Sequence, residues 1–289
     1  MFVHGDNLKQ KENSKNKYGD KLSKEFLLQI RQRYDKWKNA NLNLFGPTRQ
    51  ISNQDADIIS HRVKAFNEYK DFLDQQHFAE HFDSRSNLHS SVLEEFLFYL
   101  FKDLVNDFSQ NALIGKSHAF KDIFFKSDSY MDMINQPKIQ VELKDHDFVI
   151  GAKIEANFKA KGATNNNTLF FDIPAIAIEC KTYLDKTMLE GSSTAAEQLK
   201  IRNPNALYFI VCERLKLTEA INLKKYKLDQ IYILRKQKNT DREFRYMDNY
   251  VSNPIYEDVV WHLFHCVREY LNTDWQGKIS DGLKRGYLI

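Results

Sequence analysis

Residues Ile173 to Lys181 read IPAIAIECK, a short apolar run that ends in Glu-Cys-Lys. Its small and β-branched residues show no helical period, which predicts a buried strand. Alternate side chains of a strand share a face. Ala175, Ala177, Glu179 and Lys181 therefore fall on one side, and Ile176, Ile178 and Cys180 on the other. A carboxylate and an amine then stand together at a strand end, above two alanines that leave room. Charges so placed are costly unless they are paired or bind a metal.

Thirty-two residues before Glu179, Asp147 opens a second stretch of the same form, DFVIG, Asp147 to Gly151. If the two strands are neighbours, Asp147 and Glu179 converge on one divalent ion. Carboxylate oxygens suit Mg²⁺, which keeps several waters and binds substrate phosphate as well. Lys181 stands beside, and such a set can hydrolyse a phosphodiester.

Three Glu-x-Lys triplets occur in the chain. Glu68-Tyr-Lys70 lies in a helical pattern with no apolar strand before it. Glu142-Leu-Lys144 is strand-like but lacks a strand-opening Asp upstream. Asp172 is too close to Glu179 to start a separate strand. Asp145 lacks the immediately following apolar run that Asp147 has. No Gly-rich phosphate loop or nucleophile elbow competes. The bland alternative for Asp147, Glu179 and Lys181 is an ion pair at a sheet edge.

The order Asp, three apolar residues, Gly, linker, apolar strand, Glu-x-Lys resembles the PD-(D/E)XK nuclease superfamily, although His146 stands where that motif has its proline. More widely, HSSVLEEFLFYLF, LKDHDFVIGAK and AIECKTYLDKTMLEG resemble the BbvCI-type type II restriction endonucleases. The resemblance implies an α/β fold, a central mixed sheet flanked by helices, with a helical N-terminal region. It implies catalytic roles for Asp147, Glu179 and Lys181, and Mg²⁺ held by Asp147, Glu179 and the main-chain carbonyl of Cys180. The helix before the first catalytic strand often supplies one more glutamate, which fits Glu94 better than Glu95. A polar residue on the helix after Lys181 often steadies the phosphate or the lysine, here Gln198. The partners implied are double-stranded DNA and either a second copy or a related nuclease subunit. The competing readings are a structure-specific repair or recombination nuclease and a non-catalytic DNA-binding protein.

The 289 residues suffice for a large core in one or two domains. An aromatic share of 13% argues against disorder. No apolar run approaches eighteen residues and no signal-peptide layout opens the chain, which excludes membrane and secreted readings. Cys180, Cys212 and Cys266 are far apart and odd in number, as expected of reduced thiols in a cytoplasmic protein. A net charge of +3 confines any nucleic-acid surface to a local patch. Arg214 to Arg245 carries ten Lys or Arg against four Asp or Glu, with Tyr226, Tyr232 and Phe244 interleaved.

Residues 1–20 are polar and lysine-rich and predict a flexible basic arm. Residues 21–88 predict a helical region for DNA recognition or dimerisation, and 89–289 the nuclease core with its basic segment and last helix. Helical spacing predicts helices over 23–39, from the Ser52–Asp55 capping box to about His81, over 92–108, 195–201 and 254–272. A helical stretch is expected near Thr218 to Asn222. Phe120, Ile123, Phe124 and Phe125 are expected in the core. Gly162 to Asn167 predicts a polar surface loop.

Overall fold

A computed structural model describes residues 2–82, 87–135, 137–162, 166–240, 242–275, 283, 284 and 286. Four helices come first: α1 (Val3–Glu12), α2 (Lys21–Leu42), α3 (Asp55–Leu73) and α4 (Gln76–His81). The rest alternates as α5 (Ser91–Phe108), β1 (Leu113–Phe125), α6 (Tyr130–Asn135), β2 (Ile139–Phe158), β3 (Asn167–Leu184), α7 (Lys186–Arg202), β4 (Leu207–Leu215), β5 (Gln230–Ile233) and α8 (Glu257–Asn272). The sheet runs β1-β2-β3-β4-β5. β1, β2 and β3 pair antiparallel, while β3, β4 and β5 are parallel. The mixed sheet and its flanking helices match the predicted class.

α5 is the centre of the molecule. Of its 18 residues, 14 are buried, so it is covered on all sides rather than along one stripe. Phe148, Ile150, Ile176, Ile178 and Cys180 of the sheet lie in the same core cluster as α5, together with Phe264 and Val267 of α8 and Leu8, Trp37 and Phe66 of the N-terminal helices. The sequence reading gave α5 one apolar face. Phe98 and Tyr99 extend it, because Phe2 and Trp37 pack there. On the other sheet face Ala195, Ala196 and Leu199 of α7 cover Val149, Ala177 and Tyr208.

The expectation of a flexible N-terminal arm is corrected. Val3 to Glu12 form a helix with His4 and Leu8 fully buried. Glu95 of α5 accepts the N–H groups of His4 and Gly5 at 2.9 and 3.0 Å, as an anion does at a helix N-terminus. His4 Nδ1 meets Ser91 Oγ at 2.9 Å and its Nε2 meets the Tyr69 hydroxyl at 2.6 Å. Polar partners elsewhere in the chain, invisible in a lysine-rich composition, hold this segment.

The long helix expected to reach His81 breaks after Leu73. Lys70 and His89 both bind Asp74 there, at 3.0 and 3.1 Å. His81 turns its ring to Ser23 Oγ (2.7 Å) and Phe26, a packing role. Of the expected capping box only one half forms: Asp55 accepts the Ser52 N–H at 3.1 Å, while Ser52 Oγ accepts from Gln54 and the helix starts at Asp55 with Gln54 as its N-cap. Phe124 and Phe125 are exposed rather than core. Beyond the ends of α5 and α7 the three-stranded ribbon β1-β2-β3 runs on without a covering layer, and α6 at its tip buries nothing. Thr218 to Asn222 forms a turn, followed by a short 3-10 helix, Leu223–Lys225. Of the expected Gly162–Asn167 loop, 163–165 lie outside the described residues. No described helix is long and apolar enough to cross a membrane.

Candidate functional site

β2 and β3 pair from Phe158 and Asn167 up to Phe148 and Ile178. Asp147 and Glu179 come one step further along each strand. The alternation along β3 is as read: Ile176, Ile178 and Cys180 lie under α5, and Ala177 lies under α7. Asp147 Oδ2 accepts the Cys180 N–H at 2.9 Å. Lys181 Nζ donates to Asp147 Oδ2 at 3.1 Å and to Glu179 Oε1 at 2.9 Å. Each of the three side chains is about a quarter exposed, so the cluster opens to solvent without being on the surface.

Two irregularities aim these groups. Gly115 pairs with Val149 but Ser117 with His146, so β2 carries an extra residue at Asp147–Phe148. Such a bulge redirects a side chain, and the His146 ring meets the edge of Tyr208 at 5.7 Å. The pairing slips again where Gly151 faces Pro174. A Cβ on Gly151 would lie 2.1 Å from the Ile173 carbonyl oxygen, so only glycine fits this crossing of strands.

Burial works against the charge of Lys181, yet the Asp147 and Glu179 carboxylates hold its pKa above the ordinary value. Glu94, in the first turn of α5, is buried and its Oε2 has no hydrogen-bond partner. Burial, and then the nearby charge of Asp147, push its pKa up to about 7 against Lys116 and Lys181, which lower it. Lys116 Nζ is 3.8 Å from that oxygen. Glu95 points away, to the α1 N-terminus and the hydroxyls of Tyr34 and Tyr99 at 2.9 and 2.6 Å. One residue is about 100° on a helix, which separates the neighbouring glutamates.

Gln198 is not brought to the site. α7 buries Ala195, Ala196 and Leu199 against the sheet, which turns position 198 to solvent. The rival acids have other partners: Glu142 pairs with Lys121, Asp145 with His118, and Asp172 accepts from Ser117 at 2.7 Å. Sequence reasoning missed Tyr208, whose hydroxyl donates to Glu179 Oε2 at 3.3 Å. Its signal lies in LYFIVC, where Tyr208 pairs with Ala177 and so shares the face of Glu179. That inference needs the register, which the sequence does not carry.

Among the described residues no group of three or more His, Cys, Asp or Glu is arranged to hold a metal ion. The residues present still fit one. A single ammonium touches both carboxylates, so Asp147 Oδ2 and Glu179 Oε1 are no further apart than its two contacts, 3.1 and 2.9 Å, combined. Two hard oxygens with water completing the shell suit a hard divalent cation. The buried oxygen of Glu94 is without a donor beside them.

The family model described as Bpu10I restriction endonuclease matches residues 85–288. A solved structure, the native BbvCI A2B2 tetramer at low resolution, superposes with a TM-score of 0.69. It shares 18% sequence identity over 94% of this chain and 97% of that one, which shows a common fold. No curated protein matches the sequence. Endonucleases of the matched family generally need divalent metal ions and act on DNA. The chain belongs to the Bpu10I restriction endonuclease family, and it is a type II site-specific deoxyribonuclease of restriction type.

Proposed function

We propose that this endonuclease cuts one DNA strand per chain at a centre made of Asp147, Glu179 and Lys181, with Mg²⁺ as its ion. The observation that carries the assignment is the convergence of two acids, thirty-two residues apart, on one amine. Asp147, Glu179 and the Cys180 carbonyl would hold the ion, with Glu94 beside them. Bound there, it supplies Lewis-acid polarisation of the phosphoryl oxygens. Lys181 then leaves its double ion pair, orients the attacking water and balances charge developing on the phosphoryl group. Tyr208 fixes Glu179 by donating to its second oxygen.

One centre severs one strand, so duplex cleavage needs two. A related second subunit is the partner that fits best, since BbvCI assembles as A2B2. Base reading falls to the N-terminal helices or the Arg214–Arg245 segment, and the site of action is the cytoplasm.

Phage or plasmid DNA incubated with the purified chain tests this reading. Mg²⁺ should give strand breaks at fixed positions, read on a denaturing gel, and EDTA none. Lys181→Ala should lower the rate by roughly 10³-fold or more while DNA binding persists. A smear of products, or cutting that survives Lys181→Ala, refutes the assignment.

A further inference from the structure

A cavity of about 550 Å³ opens where β3 and β4 end, between α3, the start of α5 and the segment after β5. Thr182 and Tyr183 line it, so its wall continues directly from Lys181. At roughly 3.3 Å per strand residue Tyr183, on the strand face of Lys181, stands roughly 7 Å along β3 from it.

Among the described residues five cationic side chains line this cavity, Lys70, Arg214, Lys216, Arg235 and Arg245, against three carboxylates. Two of the acids are matched internally. Glu213 is bound by Lys70 at 3.0 Å and Arg235 at 3.1 Å, and Asp74 by Lys70 at 3.0 Å. The third acid is Asp71, whose pKa burial raises. Arg214 and Arg245 are less well served. Arg214 is 6% exposed, its Nη2 donates to Ser252 Oγ at 2.8 Å, and its Nη1 is 3.9 Å from Glu213. Its Nε has no partner. Among the described residues Arg245 donates to neutral oxygens, of Thr240 and Asn239. Burial first, and then Arg214, lower its pKa, so the two guanidinium groups press on each other. The Tyr250 hydroxyl and His89 Nε2, also on the cavity wall, are buried without partners as well.

Paired cations with an orphaned N–H and an orphaned hydroxyl are costly without an anion. A phosphate offers the acceptors and the charge that a guanidinium fork takes. We infer that this cavity binds a phosphate group through Arg214, Arg245 and Tyr250. The inference deepens the nuclease reading and rests on it for the source of the ligand, a DNA backbone phosphate adjoining the cut.

Arg245→Gln and Tyr250→Phe, which leave the buried Arg214 in place, are the test variants. The first measurement is the salt dependence of duplex binding in EDTA. Arg245→Gln should reduce the slope of log K against log salt by about 0.9, with equal weakening on any sequence. The second is the melting temperature in inorganic phosphate against chloride at equal ionic strength. Phosphate should raise it for the wild type and less for both variants. A phosphate shift with an unchanged DNA slope would keep the site but assign it to a free phosphate compound. No phosphate shift together with wild-type slopes in both variants overturns the inference. The phosphate arm needs no cleavage, so failure of the nuclease assignment is read separately, from the Mg²⁺ digest.

Discussion

Lys181 holds two carboxylates, and each of those carboxylates has a second donor. Asp147 takes the Cys180 N–H and Glu179 takes the Tyr208 hydroxyl. In the proposed mechanism those second donors keep the acids in place when the lysine moves, and Tyr208 acts as a positioning residue. Its contact is long, at 3.3 Å, so its loss belongs with an ordinary hydrogen bond rather than a charge-assisted one, about 1 kcal/mol. Tyr208→Phe should therefore lower kcat about fivefold and leave DNA affinity unchanged. Single-turnover cleavage, with separate binding measurements, checks both halves of that statement.

α5 distributes two adjacent glutamates to different tasks because it is wrapped on all sides. Glu94 faces the strand ends, and Glu95 anchors α1. The anchoring of α1 has a pH signature. Burial, then the charges of His89, Lys70, Lys11 and Arg31, hold the His4 pKa well below 6.5 in the folded chain. An unfolded His4 gains its proton as pH falls through about 6.5, while the folded one resists. Stability from this group is thus present above that pH and is lost on acidification. The urea midpoint should fall between about pH 7.5 and about pH 5.5. His4→Phe should fall less over the same interval; an equal fall would remove His4 as the cause.

At the scale of the molecule, the cluster proposed as catalytic sits at one end of the mixed sheet, and α5 ties that sheet to four N-terminal helices through a common core. Such a chain should relax supercoiled plasmid by nicking and linearise it poorly. Adding a related nuclease subunit should convert nicked circles to linear DNA, as agarose gels distinguish. Full linearisation by the isolated chain at low concentration would instead point to a self-sufficient dimer.

Much of this was legible in the chain itself. Strand parity put Glu179 and Lys181 on one face of IPAIAIECK, and the apolar run after Asp147 marked its strand, because local alternation depends only on backbone geometry. Apolar period located α2, α5 and α8 for the same reason. Tertiary structure alone decided the rest. The pairing of Phe148 with Ile178, the bulge at Asp147, the rescue of α1 by Glu95, the exposure of Gln198 and the basic cavity beyond Lys181 all join residues far apart in sequence. Their positions follow from register and long-range packing, which no local pattern encodes.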